Sequence, residues 1–242
     1  MTLDLNDVRF GSGSHPETPL PTGNRDLCIM EAVAFMSGEP WSAKPVCASP
    51  TIARFLRSWQ DSLSDDDRDR LLPASIWVPR LIGSRGDDEI ERIRLGLIHS
   101  WLLRVCVPAW LDLVPEFAAH AVALRALPET PPKTDSFVFA TGDSWYSVAI
   151  TTTESVYREM RSNTEWAGTS LQRKHAAFQT AWNHVTASAG GVLRGDTRID
   201  AITASTEAAK LAVARGIDLR PTVEQLQQSA LDLLDRMLNC KV

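Results

Sequence analysis

Four side chains near the N-terminus are of the types that bind metal ions or act as nucleophiles. They are His15, Cys28, Glu31 and Cys47. Cys28 and Glu31 are three residues apart, so on a helix their side chains are neighbours. Zinc accepts thiolate, imidazole and carboxylate ligands. We expect no cofactor, with zinc held by these four residues as the alternative, although their spacing matches no zinc-finger pattern.

Other arrangements also relieve the repulsion between a thiolate and a neighbouring carboxylate. Glu31 can pair with an arginine such as Arg25 or Arg54, or Cys28 can remain a neutral thiol in the core. A different interpretation makes Cys28 a nucleophile, because the first turn of a helix favours a thiolate. Cysteine-dependent enzymes also need a base, and spacing alone assigns no histidine of this chain to that role.

The helix that carries Cys28 and Glu31 is predicted to begin after Asp26, as N-cap, and to end at Gly38. Apolar side chains lie on nearly all its sides, which is typical of a buried helix. A second, amphipathic helix is predicted to begin at Ser49-Pro50, a cap followed by proline at the first helical position. The functional side chains would therefore surround one buried helix.

Helical periodicity continues along most of the chain, so we predict a mainly α, bundle-like globule of several helices. One short β-hairpin near 137–150 is an option, because that segment is β-branched and aromatic around a glycine. Pro108 is expected to bend or break the long helix that begins at Asp87. The remaining predicted helices cover 64–73, 87–107, 115–127, 164–189, 197–214 and a last segment that opens with a capping box at Thr222.

Composition divides the chain into four parts. We expect an irregular N-terminal arm over 1–25, a helical domain over 26–127, a proline-rich linker over 128–142 and an Ala- and Thr-rich helical portion over 143–242. The apolar stripes of the amphipathic helices predict that five large side chains are buried: Leu56, Trp59, Leu97, Trp101 and Leu233.

The overall composition excludes several classes of protein. The chain has 242 residues, of which 44% are hydrophobic and 23% charged, so it is neither fibrous nor disordered. Its net charge of −5 and the lack of a basic stripe argue against binding to bulk nucleic acid. Its start lacks the apolar core of a signal peptide, and no apolar stretch is long enough for a membrane span. With four cysteines and no CxxC pair, we expect a reduced, cytoplasmic protein.

Three runs of residues carry a resemblance to known sequences: Cys28-Ile-Met-Glu-Ala-Val-Ala-Phe35, Gly38-Glu-Pro-Trp-Ser42 and Cys47-Ala-Ser-Pro50. With them the chain resembles a family of uncharacterised proteins of actinobacteria and their phages, over about residues 11–85 and the last twenty or so. The family has no known activity, so the resemblance implies no catalytic residue. It implies an origin in a mobile element, and it favours helix over hairpin in the second half.

No sequence signature names a reaction, because phosphate-binding, zincin and nucleophile-elbow motifs are all absent. We therefore expect a helical interaction or regulatory protein of bacterial or phage origin, with a protein partner and no membrane contact. The alternative is a small metal- or cysteine-dependent enzyme that uses the region around Cys28 and Glu31.

Overall fold

A computed structural model describes residues 3–18, 21–115, 118–126, 208–209, 212 and 215–240. Within these ranges the chain is helical and contains no sheet, only an isolated bridge between Arg9 and Asn24. The mainly α prediction is confirmed. The predicted hairpin near 137–150 and the helices over 164–189 and 197–214 lie outside the described residues.

The helices follow one another closely in the first half of the chain. They are α1 (Ile29–Ser37), α2 (Pro50–Ser62), α3 (Asp65–Leu71), α4 (Ala74–Leu81), α5 (Asp88–Trp101), a π-helical segment (Leu102–Cys106), α6 (Val107–Leu111), α7 (Ala118–Arg125) and α8 (Arg220–Leu238). In the described part of the chain, no helix is long and apolar enough to span a membrane.

The chain divides into two compact units. The first comprises Met1–Leu95 and Leu234–Val242, and the second comprises Gly96–Leu233. The division falls inside α5, whereas the predicted linker over 128–142 lies outside the described residues. All residues of the candidate site described below belong to the first unit.

Helix α1 begins later than predicted, because the side chain of Asp26 is hydrogen-bonded to the turn before it and not to the first turn of the helix. The Asp26 carboxylate accepts the N–H groups of Thr22 and Gly23, at 2.7 and 3.0 Å. Cys28 is the N-cap instead, and it forms a capping box with Glu31. The predicted end at Gly38 is confirmed, since this residue has the left-handed conformation (φ 74°) that favours glycine.

Helix α2 begins as the sequence predicts. The Ser49 hydroxyl accepts the N–H of Ile52, and Pro50 occupies the first position. Its apolar side faces the core, where the rings of Phe55 and Trp59 lie 5.9 Å apart between centroids. Of the five predicted core side chains, Leu97 is only half-buried. The other four are buried: Leu56, Trp59, Trp101 and Leu233.

The buried side of α5 around Leu97 differs from the predicted one by one residue. Leu97 is half-buried, and the next residue, Ile98, is buried. Glu91 and Arg94 occupy that side as a buried ion pair, with 2.6 Å between Oε1 and Nη1. The Arg94 guanidinium also donates to the carbonyl oxygens of Met237 at 2.9 Å and Ser84 at 2.8 Å. Two charged residues can face a core when each has partners of this kind, so hydrophobic periodicity alone placed the stripe wrongly.

Helical structure continues through Pro108, from α5 through the π-helical segment into α6. The chain widens into a π turn just before it, and the Val107 N–H donates to the carbonyl of Leu102, five residues earlier. Proline has no N–H, and its ring crowds the carbonyl four residues before it. A π turn relieves that crowding while the helix continues.

Helix α8 begins two residues before the predicted capping box, so Thr222 is inside the helix. The Asp218 carboxylate accepts the N–H of Arg220, the first helical residue, at 3.0 Å. The burial predicted for Leu233 on this helix is confirmed, and five more apolar side chains at helical spacing are buried with it: Val223, Leu226, Ala230, Leu234 and Met237.

Candidate functional site

The buried carboxylate of Glu31 lies at the centre of the candidate site. Glu31 is only 1% exposed, and its side chain accepts three hydrogen bonds. The backbone N–H of His15 lies 2.8 Å from Oε1, while the backbone N–H of Cys28 and the Nδ1 of His15 lie 2.7 and 2.9 Å from Oε2. With the carboxylate as acceptor, Nδ1 of His15 is assigned as the donor in this contact. We call His15, Cys28 and Glu31 the Glu31 cluster.

The thiol of Cys28 is neutral in this cluster. Its Sγ accepts the backbone N–H of Glu31 at 3.4 Å, as a capping side chain does. Burial, together with the charge of Glu31, raises the pKa of Cys28 to about 12. Of the alternatives that the sequence leaves open, the structure favours the neutral thiol over a thiolate nucleophile.

Neither of the two arginines suggested as partners, Arg25 and Arg54, is among the hydrogen-bond partners of Glu31. Arg25 donates to both carboxylate oxygens of Asp69, at 2.9 and 3.3 Å, and to the carbonyl of Phe10. His15 and two backbone N–H groups take its place at Glu31. Several hydrogen bonds to a charged carboxylate stabilise it much as an opposite charge would.

Gln60 is a member of the site that sequence reasoning missed. It is fully buried on α2, where its Oε1 accepts the N–H of Ile29 and its Nε2 donates to the carbonyl of Gly11, both at 2.8 Å. A polar residue four positions after Leu56, inside an apolar stripe, is the signal that could have revealed it. Gln60 and the Glu31 cluster together bind the segment 11–15 to α1 and α2.

Gly11 gives the imidazole of His15 the space that it needs. A Cβ at this position would lie 2.5 Å from Nε2 of His15 and 2.4 Å from the carbonyl oxygen of Arg25. We expect Gly11→Ala to lower the free energy of unfolding by about 1–3 kcal/mol, as overpacking does. Chemical denaturation measures the loss, and Ser12→Ala at the exposed neighbouring position is the control. Equal stability of the two variants would contradict this packing.

The structure shows contacts among three of the four predicted zinc ligands. The structure brings His15, Cys28 and Glu31 together, while the backbone N–H and the side chain of Cys47 are hydrogen-bonded to Glu39. No three His, Cys, Asp or Glu side chains among the described residues are placed to hold a metal ion. Within the cluster, three N–H groups already occupy the carboxylate. The zinc alternative stays a prediction.

Glu39 and Arg85 hold the loop that carries Cys47. The Glu39 carboxylate accepts the N–H groups of Val46 and Cys47, at 2.5 and 2.7 Å. Arg85 donates its backbone N–H to the carbonyl of Cys47 at 3.1 Å, and its Nη1 to the carbonyl of Val46 at 3.2 Å. All four backbone polar groups of Val46 and Cys47 are therefore satisfied. We call this arrangement the Glu39–Arg85 clamp.

The clamp also favours the ionised form of Glu39. Desolvation raises its pKa, but hydrogen bonds from the side chain of Cys47 and from the two backbone N–H groups outweigh that effect. The pKa of Glu39 consequently lies below its ordinary value. The carboxylate thus stays charged at neutral pH and keeps its hold on the loop.

Large apolar side chains are exposed beside this clamp. Val46 is 68% exposed, although its backbone is held on both sides. Met36 lies three residues before Glu39 and is 38% exposed, and Ile82 lies three residues before Arg85 and is 37% exposed. Met36 and Ile82 are thus close in sequence to the two residues that hold the backbone of Val46. Met36, Val46 and Ile82 form what we call the apolar patch.

The neutral state of Cys28 predicts selective thiol chemistry. At pH 8 a thiol with a pKa of about 12 is ionised in about one molecule in ten thousand, and Cys28 is also buried. We expect a maleimide to label the half-buried Cys47 and to leave Cys28 unmodified until the protein is unfolded in denaturant. Peptide mass spectrometry identifies the labelled residue, with Cys47→Ser as control. Labelling of both thiols at similar rates in the folded protein would contradict the buried cap.

Comparison with known proteins adds no further constraint. No family model, no curated protein and no solved structure matches the chain. The resemblance to uncharacterised actinobacterial and phage proteins therefore stays a prediction, and the function has to be argued from the arrangement of the residues.

Proposed function

We propose that this chain is a helical interaction protein and that the apolar patch is its contact surface. The observation that carries the proposal is the Glu39–Arg85 clamp, which holds the backbone of the exposed Val46. Ordering a surface loop costs conformational entropy. When the loop is ordered before binding, that cost does not reduce the affinity for a partner. A bacterial or phage origin, and a regulatory role, are part of this proposal.

The Glu31 cluster supports a binding role more than a catalytic one. Its carboxylate is occupied by three N–H groups, and its thiol is neutral and buried. A nucleophilic thiol needs a lowered pKa and access to substrate, and Cys28 has neither. The cluster instead fixes segment 11–15 and α1, at whose C-terminal end Met36 lies. Its contribution is to stability, and so to the rigidity of the surface.

Site-specific photo-crosslinking tests this proposal. A photoreactive amino acid replaces Val46 in the full chain, which is then irradiated in living cells. We expect discrete cross-linked products from position 46. Val122 on α7 provides a matched control, because it is 65% exposed and lies outside the patch. The absence of products from position 46, or the same products from both positions, would contradict the proposal.

A further inference from the structure

The buried pair of Glu91 and Arg94 holds the backbone on both sides of Arg85. Nη1 of Arg94 donates to the carbonyl oxygen of Ser84 at 2.8 Å, and Oε1 of Glu91 accepts the N–H of Gly86 at 3.2 Å. Ser84 and Gly86 are the neighbours of Arg85 in the chain. The position of Arg85, and so one side of the Glu39–Arg85 clamp, therefore depends on the buried pair.

The same pair also holds the chain just after the clamped loop. The Ser49 hydroxyl donates to Oε2 of Glu91 at 2.7 Å, and the Ser49 N–H donates to the hydroxyl of Ser84 at 3.1 Å. Ser49 is only two residues after Cys47. Both chain segments that Arg85 joins are therefore tied to one charged pair. The attraction between two charges weakens as water gains access to them, so these ties depend on the burial of the pair.

The end of α8 completes the surroundings of Arg94. Nε of Arg94 donates to the carbonyl oxygen of Met237 at 2.9 Å, and the side chain of Met237 is fully buried. Two residues earlier, Asp235 forms an ion pair with Arg80 on α4, with 2.7 Å between Oδ1 and Nη2. We call residues 234–238 the strap. They belong to the same compact unit as the clamp.

We propose that the strap controls the clamp; this inference rests on the proposed function, because the clamped loop carries Val46. Helix ends open at a lower free energy than the core of a protein. When the strap opens, Arg94 loses an acceptor, and water competes for the charges of Arg94 and Glu91. The segments tied to this pair are then held less firmly. An ordered loop binds a partner at a lower entropic cost, so the affinity is higher while the strap is docked.

Amide hydrogen exchange of the full chain, followed by NMR, tests this coupling. The clamp holds three backbone N–H groups: those of Val46, Cys47 and Arg85. The two backbone N–H groups bound to Glu31 serve as the reference. Met237→Ala removes buried atoms of the strap. We expect it to speed exchange in the clamp about tenfold relative to the reference groups.

Leu226→Ala is the matched control for this variant. It also shortens a buried side chain of α8, about three turns before Met237, and should leave the ratio of clamp to reference rates unchanged. Equal acceleration of both sets of N–H groups by Met237→Ala would mean a general loss of stability and would overturn the coupling. Clamp rates that stay constant, or that respond equally to the two variants, would overturn it as well.

A charge reversal tests the strap without removing buried atoms. Asp235→Arg places a second cation opposite Arg80, at positions that are half exposed. We expect exchange in the clamp to rise about threefold, since exposed pairs contribute little. Adding Arg80→Asp to the same chain should bring the rate back towards its original value. A single variant without effect on the clamp, or a double variant without recovery, would contradict the role of the strap.

The inference and the proposed function can fail separately. If the clamp does not respond to either strap variant but position 46 still gives discrete cross-links, the proposed function stands and the strap is excluded as its regulator. If the clamp responds but position 46 gives no cross-links, the coupling stands and the contact surface is excluded.

Discussion

Glu31→Ala is expected to lower the free energy of unfolding by about 3–5 kcal/mol, the range found when one partner of a buried charged group is removed. The change leaves the backbone N–H groups of His15 and Cys28 without their acceptor. It also removes the partner of the His15 ring. A buried donor that loses its acceptor costs about 1–3 kcal/mol, so three lost hydrogen bonds account for an effect of this size. Urea denaturation followed by circular dichroism measures it.

Glu31→Gln is the matched control for this experiment. The amide keeps the shape of the side chain and one oxygen acceptor, but its NH₂ group would face an N–H group. We therefore expect a smaller loss than for alanine. A loss below about 1 kcal/mol for Glu31→Ala would mean that segment 11–15 is not held by the Glu31 cluster.

Arg94→Ala is expected to lower the free energy of unfolding by about 3 kcal/mol, the lower end of the same range. It removes the cationic partner of the buried Glu91, while Ser49, Thr51 and Gly86 still donate hydrogen bonds to that carboxylate. It also removes the donors to the carbonyls of Met237 and Ser84. The Met237 carbonyl lies in the last turn of α8, so this end of the helix would lose its side-chain cap. The loss is measured by denaturant unfolding.

The same helix offers a control with the same spacing. Arg92 pairs with Glu89, also three residues before it, but this pair is exposed to solvent. Exposed pairs contribute little to stability, so Arg92→Ala should leave the unfolding curve almost unchanged. Similar losses for the two alanine variants would show that burial does not distinguish the two pairs.

Local signals allowed the sequence to predict the end of α1 and the start of α2. Gly38 ends α1, and Ser49-Pro50 begins α2. Both boundaries follow from the preferences of single residues for particular backbone conformations, which depend little on the rest of the fold. The start of α1 was wrong for a related reason. Asp26 and Cys28 are both able to cap, and the choice was decided by the turn that Asp26 stabilises with Thr22 and Gly23.

The sequence could predict the site only where its members are close along the chain. Cys28 and Glu31 are neighbours because three residues separate them on one helix. The roles of Gln60 and Arg94 depend on partners that are 49 and 143 residues away. No periodicity encodes such pairs. They are specified by tertiary packing, which also buries the charges that hydropathy had assigned to the surface.

The π turn at Leu102–Cys106 has a consequence for insertions and deletions. A π turn contains one residue more than the α-helical turn that it replaces, so losing a residue there would restore a regular helix. The extra residue is absorbed within the turn, so the side chains of the following helix would keep their present directions. A residue lost from α6 itself would instead turn every later side chain by about 100° about the axis. Because α6 is buried throughout and packs against α7, the loss of one residue should disturb this packing less within the π turn than within α6.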